Sequence, residues 1–264
     1  MAGMPDAPLI LPAAQLAELE TAYADPPRAY HNFGHVQALL RHFDEVAAGP
    51  GWQQPREVYL AILYHDAIYQ AGRSDNEERS AHMAARAIAQ WLPDHAIDSE
   101  RVIELIRLTA RHGQVRPQDV DAEAALFLDC DMAILAAPEP VFSAYDRGVA
   151  EEYKGVVPGF LYRAGRRRFL QGLLRAPRIF LSEFFHQRLD AAARDNLIVT
   201  PKLRMLLDAE GSAHVAEAIK AAFPDAPLDI LCIDPIRNLF DGGPDGGGEN
   251  DNTAMLFFLQ ERVE

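Results

Sequence analysis

Tyr64-His65-Asp66-Ala67-Ile68-Tyr69 sets an imidazole and a carboxylate side by side within an apolar run that begins at Val58. A run of that composition reads as a helix buried on most sides, here over residues 58 to 69. An unpaired carboxylate in such a place would take up a proton or cost the fold several kcal/mol, roughly. Asp66 therefore needs a cation, and the imidazole beside it points to a metal ion. Taken alone, the dipeptide is equally well read as a buried pair satisfied by hydrogen bonds from neighbouring helices.

Two more positions weigh on that choice. Asn32 reads as the N-cap of a helix whose apolar face is Val36, Leu39, Leu40 and Phe43, and His35 lies one turn before Leu39, on the core side. Asp131 is three residues after Leu128 and four before Leu135, so it shares their inward face. His35, His65, Asp66 and Asp131 are thus four potential ligands on three helices, and one metal ion would neutralise them all. Two imidazoles and two carboxylates suit an octahedral first-row ion such as Mn, Fe, Co or Ni, with Mg the less usual occupant. Cys130 and Cys232, the only two cysteines, are too few and too far apart for a disulfide framework or a thiolate zinc site.

The surrounding pattern is helical. Leu11 to Ala24 is stopped by Asp25-Pro26-Pro27, and the helix opened by Asn32 ends before Gly49-Pro50-Gly51. Asp75 reads as the next N-cap, with Glu78 as its capping-box partner ahead of Ala81, Ala84, Ala85, Ile88 and Trp91. A helix from about Ser99 carries Val102, Ile103, Ile106 and Thr109 inward and closes at His112-Gly113. Residues 119 to 136, 141 to 153, 160 to 175 and 179 to 197 complete the set, separated by proline and glycine turns. The expected fold is an all-α bundle over residues 10 to 197.

From Ile198 the pattern changes. Ile198-Val199-Thr200 and Leu228 to Asp234 have strand length and composition, Ser212 to Phe223 is helical, and Thr253 to Val263 reads as a short helix after a glycine-rich loop. Residues 198 to 264 are expected to form a small α/β appendage.

The chain has 264 residues, 49% of them hydrophobic, which can fill a sizeable core. Its net charge of −14 argues against a nucleic-acid polymer or an anionic membrane surface as partner. The first twelve residues lack the pattern of a secretory signal, and no apolar stretch reaches the ~18 residues of a membrane span. The expected location is cytoplasmic.

The order His, then His-Asp, then Asp is the motif of the HD-domain superfamily. Further blocks sharpen the likeness: Tyr30-His31-Asn32-x-x-His35, Tyr64-His65-Asp66-x-x-Tyr69, Asp75-Asn76-Glu77-x-x-Ser80-Ala81, Thr109-x-x-His112, Asp129-x-Asp131-x-Ala133-Ile134-Leu135, Glu152-Tyr153 and Ala193-Arg194-x-Asn196-Leu197. Together they resemble the bacterial family of predicted metal-dependent HD phosphohydrolases over roughly residues 10 to 197. The resemblance implies an HD-domain helical bundle holding a divalent metal. It also implies hydrolysis of a phosphate ester or anhydride, the expected substrate being a small phosphorylated or nucleotide-like molecule.

A bound metal would bring the pKa of a water down from ~15.7 towards neutrality and polarise a phosphoryl oxygen. Asp66 would then act in catalysis as well as ligation. Glu77 and Asp75 are candidates for the base or for a supporting contact, although ordinary helix-start acidity accounts for them equally well, and Asp129 is a further supporting candidate. Arg28, His31, His112 and Arg166 are candidates for binding substrate phosphate. Arg166-Arg167-Arg168 has the simpler reading of a solvated helix face.

Three other functions fit parts of the sequence. A non-catalytic HD module would bind a nucleotide or metal as a sensor. An HD-type di-iron oxygenase would need more histidines, with only His31 and His112 available. An ATPase is called to mind by Leu228 to Asp234 with Pro235-x-Arg237-Asn238 and Glu249-Asn250-Asp251-Asn252, which resemble the Walker B region of RecA-like ATPases from mobile elements. No G-x-x-x-x-G-K-[ST] phosphate cradle accompanies it, and the lysines are only Lys154, Lys202 and Lys220. The appendage is accordingly expected to be a truncated, loosely packed or partly disordered remnant.

Overall fold

The computed structural model describes residues 7 to 24 and 28 to 197. The strands and helices expected beyond Leu197 lie outside the described residues. Within them the chain forms helices α1 (Ala13–Tyr23), α2 (Phe33–Ala48), α3 (Pro55–Tyr64), α4 (Asn76–Trp91) and α5 (Ser99–Thr109). These are followed by α6 (Ala122–Met132), α7 (Glu139–Glu152), α8 (Gly159–Arg175) and α9 (Glu183–Asn196). Short 3-10 turns at Pro117–Asp119 and Ala133–Ala136 flank α6, and no strand occurs among the described residues. None of the described helices is long and apolar enough to cross a membrane.

Helix α3 is the centre of the bundle. Every residue from Glu57 to Tyr64 is buried, and α2, α4 and α5 pack around it. Burying each of its Leu, Ile and Val side chains contributes about 1.5 to 3 kcal/mol, so this short helix is held by packing rather than by its own propensity. Pro55 opens it at the first helical position, where the missing N–H costs nothing. The buried Glu123 of α6 accepts the backbone N–H groups of Gln53 and Gln54 at 2.8 and 2.7 Å, fixing the entry to α3.

The helix is shorter than the apolar run that announces it. It ends at Tyr64, with His65 as its C-cap, so the His-Asp pair lies at and just beyond the helix end rather than inside it. The backbone leaves because tertiary partners take its polar groups: Ser80 of α4 accepts from the N–H of Ile68 at 3.0 Å and donates to its carbonyl at 3.1 Å. Asn76, also buried, makes the same two-way bond with Gln70, at 3.0 Å in each direction. Asn76→Ala, which removes both of these bonds, is expected to cost about 1 to 2 kcal/mol, measured as a lower urea midpoint with an unchanged m-value.

Other helix ends also depart from the sequence pattern. Asp75 makes no capping bond, and the expected capping box with Glu78 does not form. Arg73 takes both Asp75 oxygens at 2.6 and 2.7 Å, and Arg107 takes both Glu78 oxygens at 2.7 Å. Bidentate guanidinium pairs outcompete a single backbone N–H. Helix α5 stops at Thr109, and Gly113, at φ 74°, ends the turn after it rather than the helix itself. Helix α9 starts at Glu183, four residues later than expected, because carboxylates intercept the preceding amides: Asp190 accepts the N–H of Ile179 and Asp129 those of Leu181 and Ser182. Asn32 caps α2 as expected, accepting the N–H of Gly34 at 2.8 Å. A Cβ on Gly34 would meet that same oxygen at 2.9 Å, which explains the glycine.

Candidate metal centre

Three helix ends bring the four expected ligands together. His35 comes from the first turn of α2, His65 and Asp66 from the end of α3, and Asp131 from the last turn of α6. The Nε2 atoms of His35 and His65 face each other at 3.1 Å. Asp66 Oδ2 lies 3.2 Å from His65 Nε2 and 3.6 Å from His35 Nε2. Asp131 Oδ1 lies 3.0 Å from His35 Nε2 and 3.8 Å from His65 Nε2. The ligand atoms of His35, His65 and Asp66 all fall within 4.8 Å of one another, so this trio could hold a metal ion. In an octahedron with bonds of about 2.1 Å, neighbouring donors stand about 3.0 Å apart, close to the shorter of these spacings.

The chemistry of the donor set agrees with that spacing. Nδ1 of His65 lies 2.8 Å from the carbonyl of Ile62, an acceptor only, so the proton of the neutral ring sits on Nδ1 and the lone pair of Nε2 points into the cluster. Both rings are buried, while the two carboxylate side chains keep 14% of their surface open to solvent, the side from which a ligand would enter. Burial opposes ionisation of Asp66 and Asp131, but the adjoining histidines hold both carboxyls well below the usual range. Burial would equally lower the pKa of His65, yet the charges of Asp66 and Asp131 push it up to about 9. In the absence of metal the two carboxylates thus hold a proton where a cation would stand.

Around this cluster the remaining sequence candidates separate. His112 Nε2 is bonded to Asp131 Oδ2 at 2.7 Å, so His112 orients an expected ligand from behind. His31 Nδ1 lies 2.6 Å from Glu152 Oε2, while Glu152 Oε1 accepts the N–H groups of Tyr30 and His31 at 2.8 and 2.9 Å. His31 stacks on Tyr69 with ring centroids 4.0 Å apart. Glu152 is 2% exposed; burial works against its charge, and the His31 ring and the two amides hold its carboxyl below the ordinary value. Arg166 of α8 is half-buried over the Tyr145 ring, 4.9 Å from its centroid, and pairs with Asp146 at 3.1 Å. It is therefore not part of a solvated basic face, although Arg168 is exposed.

Three candidates are placed differently from the expectation. The guanidinium of Arg28 is turned to backbone carbonyls of the His-Asp turn, not held free for phosphate. Asp75 is taken up by Arg73. Asp129 points to the start of α9, where it accepts Ser182 Oγ at 2.6 Å in addition to two amides, and burial pushes its pKa up to about 6. Its partners are all in the segment leading into α9, so it anchors a helix rather than supporting the cluster. Glu77 lies half-buried in the first turn of α4. Asn76, Ser80 and Glu152 emerge as the residues that shape the site's frame. Asn76 and Ser80 share a motif with Asp75 and Glu77, and Glu152 belongs to the motif Glu152-Tyr153, but the partners are 6, 12 and 121 residues away and only the fold brings them in.

Comparison with known proteins gives no significant match to any family model, curated protein or solved structure.

Proposed function

We propose that this chain is a metal-dependent phosphohydrolase of the HD type, acting on a small phosphorylated or nucleotide-like molecule. The observation that carries the reading is the convergence of His35, His65 and Asp66, with Asp131 Oδ1 3.0 Å from His35 Nε2 and the Nε2 lone pair of His65 directed into the cluster by the Ile62 carbonyl. A divalent first-row ion held by these four residues would supply an electrophile for a phosphoryl oxygen and acidify water. The chain's own residues supply the rest. Glu152 fixes the His31 ring by its Nδ1, leaving Nε2 to meet a phosphate oxygen or carry a proton at the edge of the cluster. Arg166, packed on Tyr145, offers a fixed positive charge to phosphate. With Asp75 bound to Arg73, Glu77 is the remaining one of the two candidates for a carboxylate that accepts a proton.

The test is a panel of phosphate monoesters, nucleotides and pyrophosphates assayed for phosphate release with Mn, Co, Ni and Mg. The expected result is turnover of at least one compound, faster with a first-row transition ion than with Mg and abolished by a chelator. Metal-loaded protein that binds nucleotides but releases no phosphate from any of them would replace hydrolysis with a sensing role.

A further inference from the structure

Arg28 is 38 residues from Asp66 in sequence and directly beneath it in the fold. Its Nη1 donates to the carbonyl of Asp66 at 2.9 Å and to that of His31 at 3.2 Å, and its Nη2 to the carbonyl of Ala67 at 3.0 Å. The guanidinium also lies 5.2 Å from the centroid of the Tyr23 ring, and Tyr23 itself donates its hydroxyl to the Leu63 carbonyl at 3.0 Å. Arg28 and Tyr23 thus grip the C-terminal end of α3 together. That end carries the negative pole of the helix dipole, which favours a cation there. A planar fork with several fixed donors can hold carbonyls of two separate segments at once, which a lysine ammonium does far less well.

Those two segments are the ones that carry ligands. The Asp66 carbonyl belongs to the residue whose carboxylate faces both imidazoles, and the His31 carbonyl lies one turn before His35. Three of the five N–H groups of Arg28 are spent on these contacts, which leaves a structural bond where a phosphate contact was expected.

We propose that Arg28 is a positioning residue for the metal centre, clamping the His31, Asp66 and Ala67 carbonyls so that the ligands of α2 and the α3 end keep one geometry. The proposal rests on reading the cluster as a metal centre. It predicts that Arg28 sets metal affinity in excess of its effect on stability. Arg194 provides a matched control: it donates to the carbonyls of Leu174 and Ala176 at 3.0 and 2.9 Å and to Asp190 at 2.7 Å, in the α8 to α9 connection.

The experiment is calorimetric titration of Mn into the wild-type chain, Arg28→Ala, Arg28→Lys and Arg194→Ala, with urea unfolding of each metal-free protein. Arg28→Ala is expected to weaken Mn binding by about 10 to 100-fold and Arg28→Lys by about tenfold. Arg194→Ala should lose stability yet bind Mn within about twofold of wild type. Should Arg28→Ala fail to fold, Arg28→Lys carries the test. Wild-type Mn affinity in the folded Arg28 variants would overturn the proposal and leave Arg28 purely structural. Absence of Mn binding by the wild-type chain would instead overturn the metal reading beneath it, so the two failures are told apart within one series.

Discussion

His65→Ala is expected to retain less than about a tenth of the wild-type metal content and to lose at least about 1000-fold in kcat/KM on any phosphate ester the wild type hydrolyses. The side chain is 1% exposed and offers a single outward atom, Nε2, which stands within 3.2 Å of both His35 Nε2 and Asp66 Oδ2. Truncation leaves one imidazole against two carboxylates and removes the ligand whose tautomer the Ile62 carbonyl sets. The fold should survive, because the α3 core residues from Val58 to Leu63 are untouched; a cooperative melt would verify this. Asp66→Ala is expected to match it in both readouts. His82→Ala makes the control, since that ring is exposed and pairs with Glu78, and it should leave metal and activity unchanged. Metal is read by elemental analysis after gel filtration, activity by phosphate release. Full metal retention in His65→Ala would remove this residue from the centre.

The second large effect is the exchange of a proton for a metal. His65, raised to about 9 by the two carboxylates against the cost of burial, is protonated at neutral pH in the metal-free chain. Its folded pKa lies above the unfolded value, so the stability it contributes is fully present below about pH 6.5 and is lost as pH rises through about 9. Asp66 and Asp131 are held low, so their contribution is present above the ordinary carboxylate range near pH 4 and is lost as pH falls below it. The cluster's own contribution to the stability of the metal-free protein is therefore largest between about pH 4 and 6.5. Metal must displace the His65 proton, so its apparent affinity should rise up to about tenfold per pH unit from pH 6 to 8. At a metal concentration 100 times the Kd the loaded form gains about 2.7 kcal/mol. For a domain of this size that raises Tm by about 5 to 11 °C. Thermal melts with and without Mn across this range would check both slopes; a gain in Tm that does not depend on pH would exclude proton exchange at His65.

Much of the bundle was legible because apolar spacing repeats on the helical period. Positions buried for packing, such as Val36, Leu39, Val102 and Ile106, mark their helices directly. His35, His65, Asp66 and Asp131 were legible for the related reason that polar groups on buried faces require partners. The end of α3 was not: Ala67, Ile68 and Tyr69 continue the apolar run, while the bonds that pull the backbone out of the helix come from Ser80 and Arg28. Asp75 and Glu78 matched a capping pattern whose carboxylates Arg73 and Arg107 claim instead. Arg28 looked like a free cation because its three carbonyl partners accept through the backbone, which leaves no trace in residue identity. Local pattern therefore located the candidate residues, whereas the contacts that orient them, Glu152 on His31 and His112 on Asp131, exist only once distant helices have packed.

Metal stoichiometry tests the centre most directly. Calorimetric titration of Mn or Co into chelator-treated wild-type protein at pH 7.5 is expected to give about one ion per chain, with proton release that varies with buffer ionisation enthalpy. A chain that is folded by circular dichroism yet takes up neither ion at millimolar concentration would contradict it.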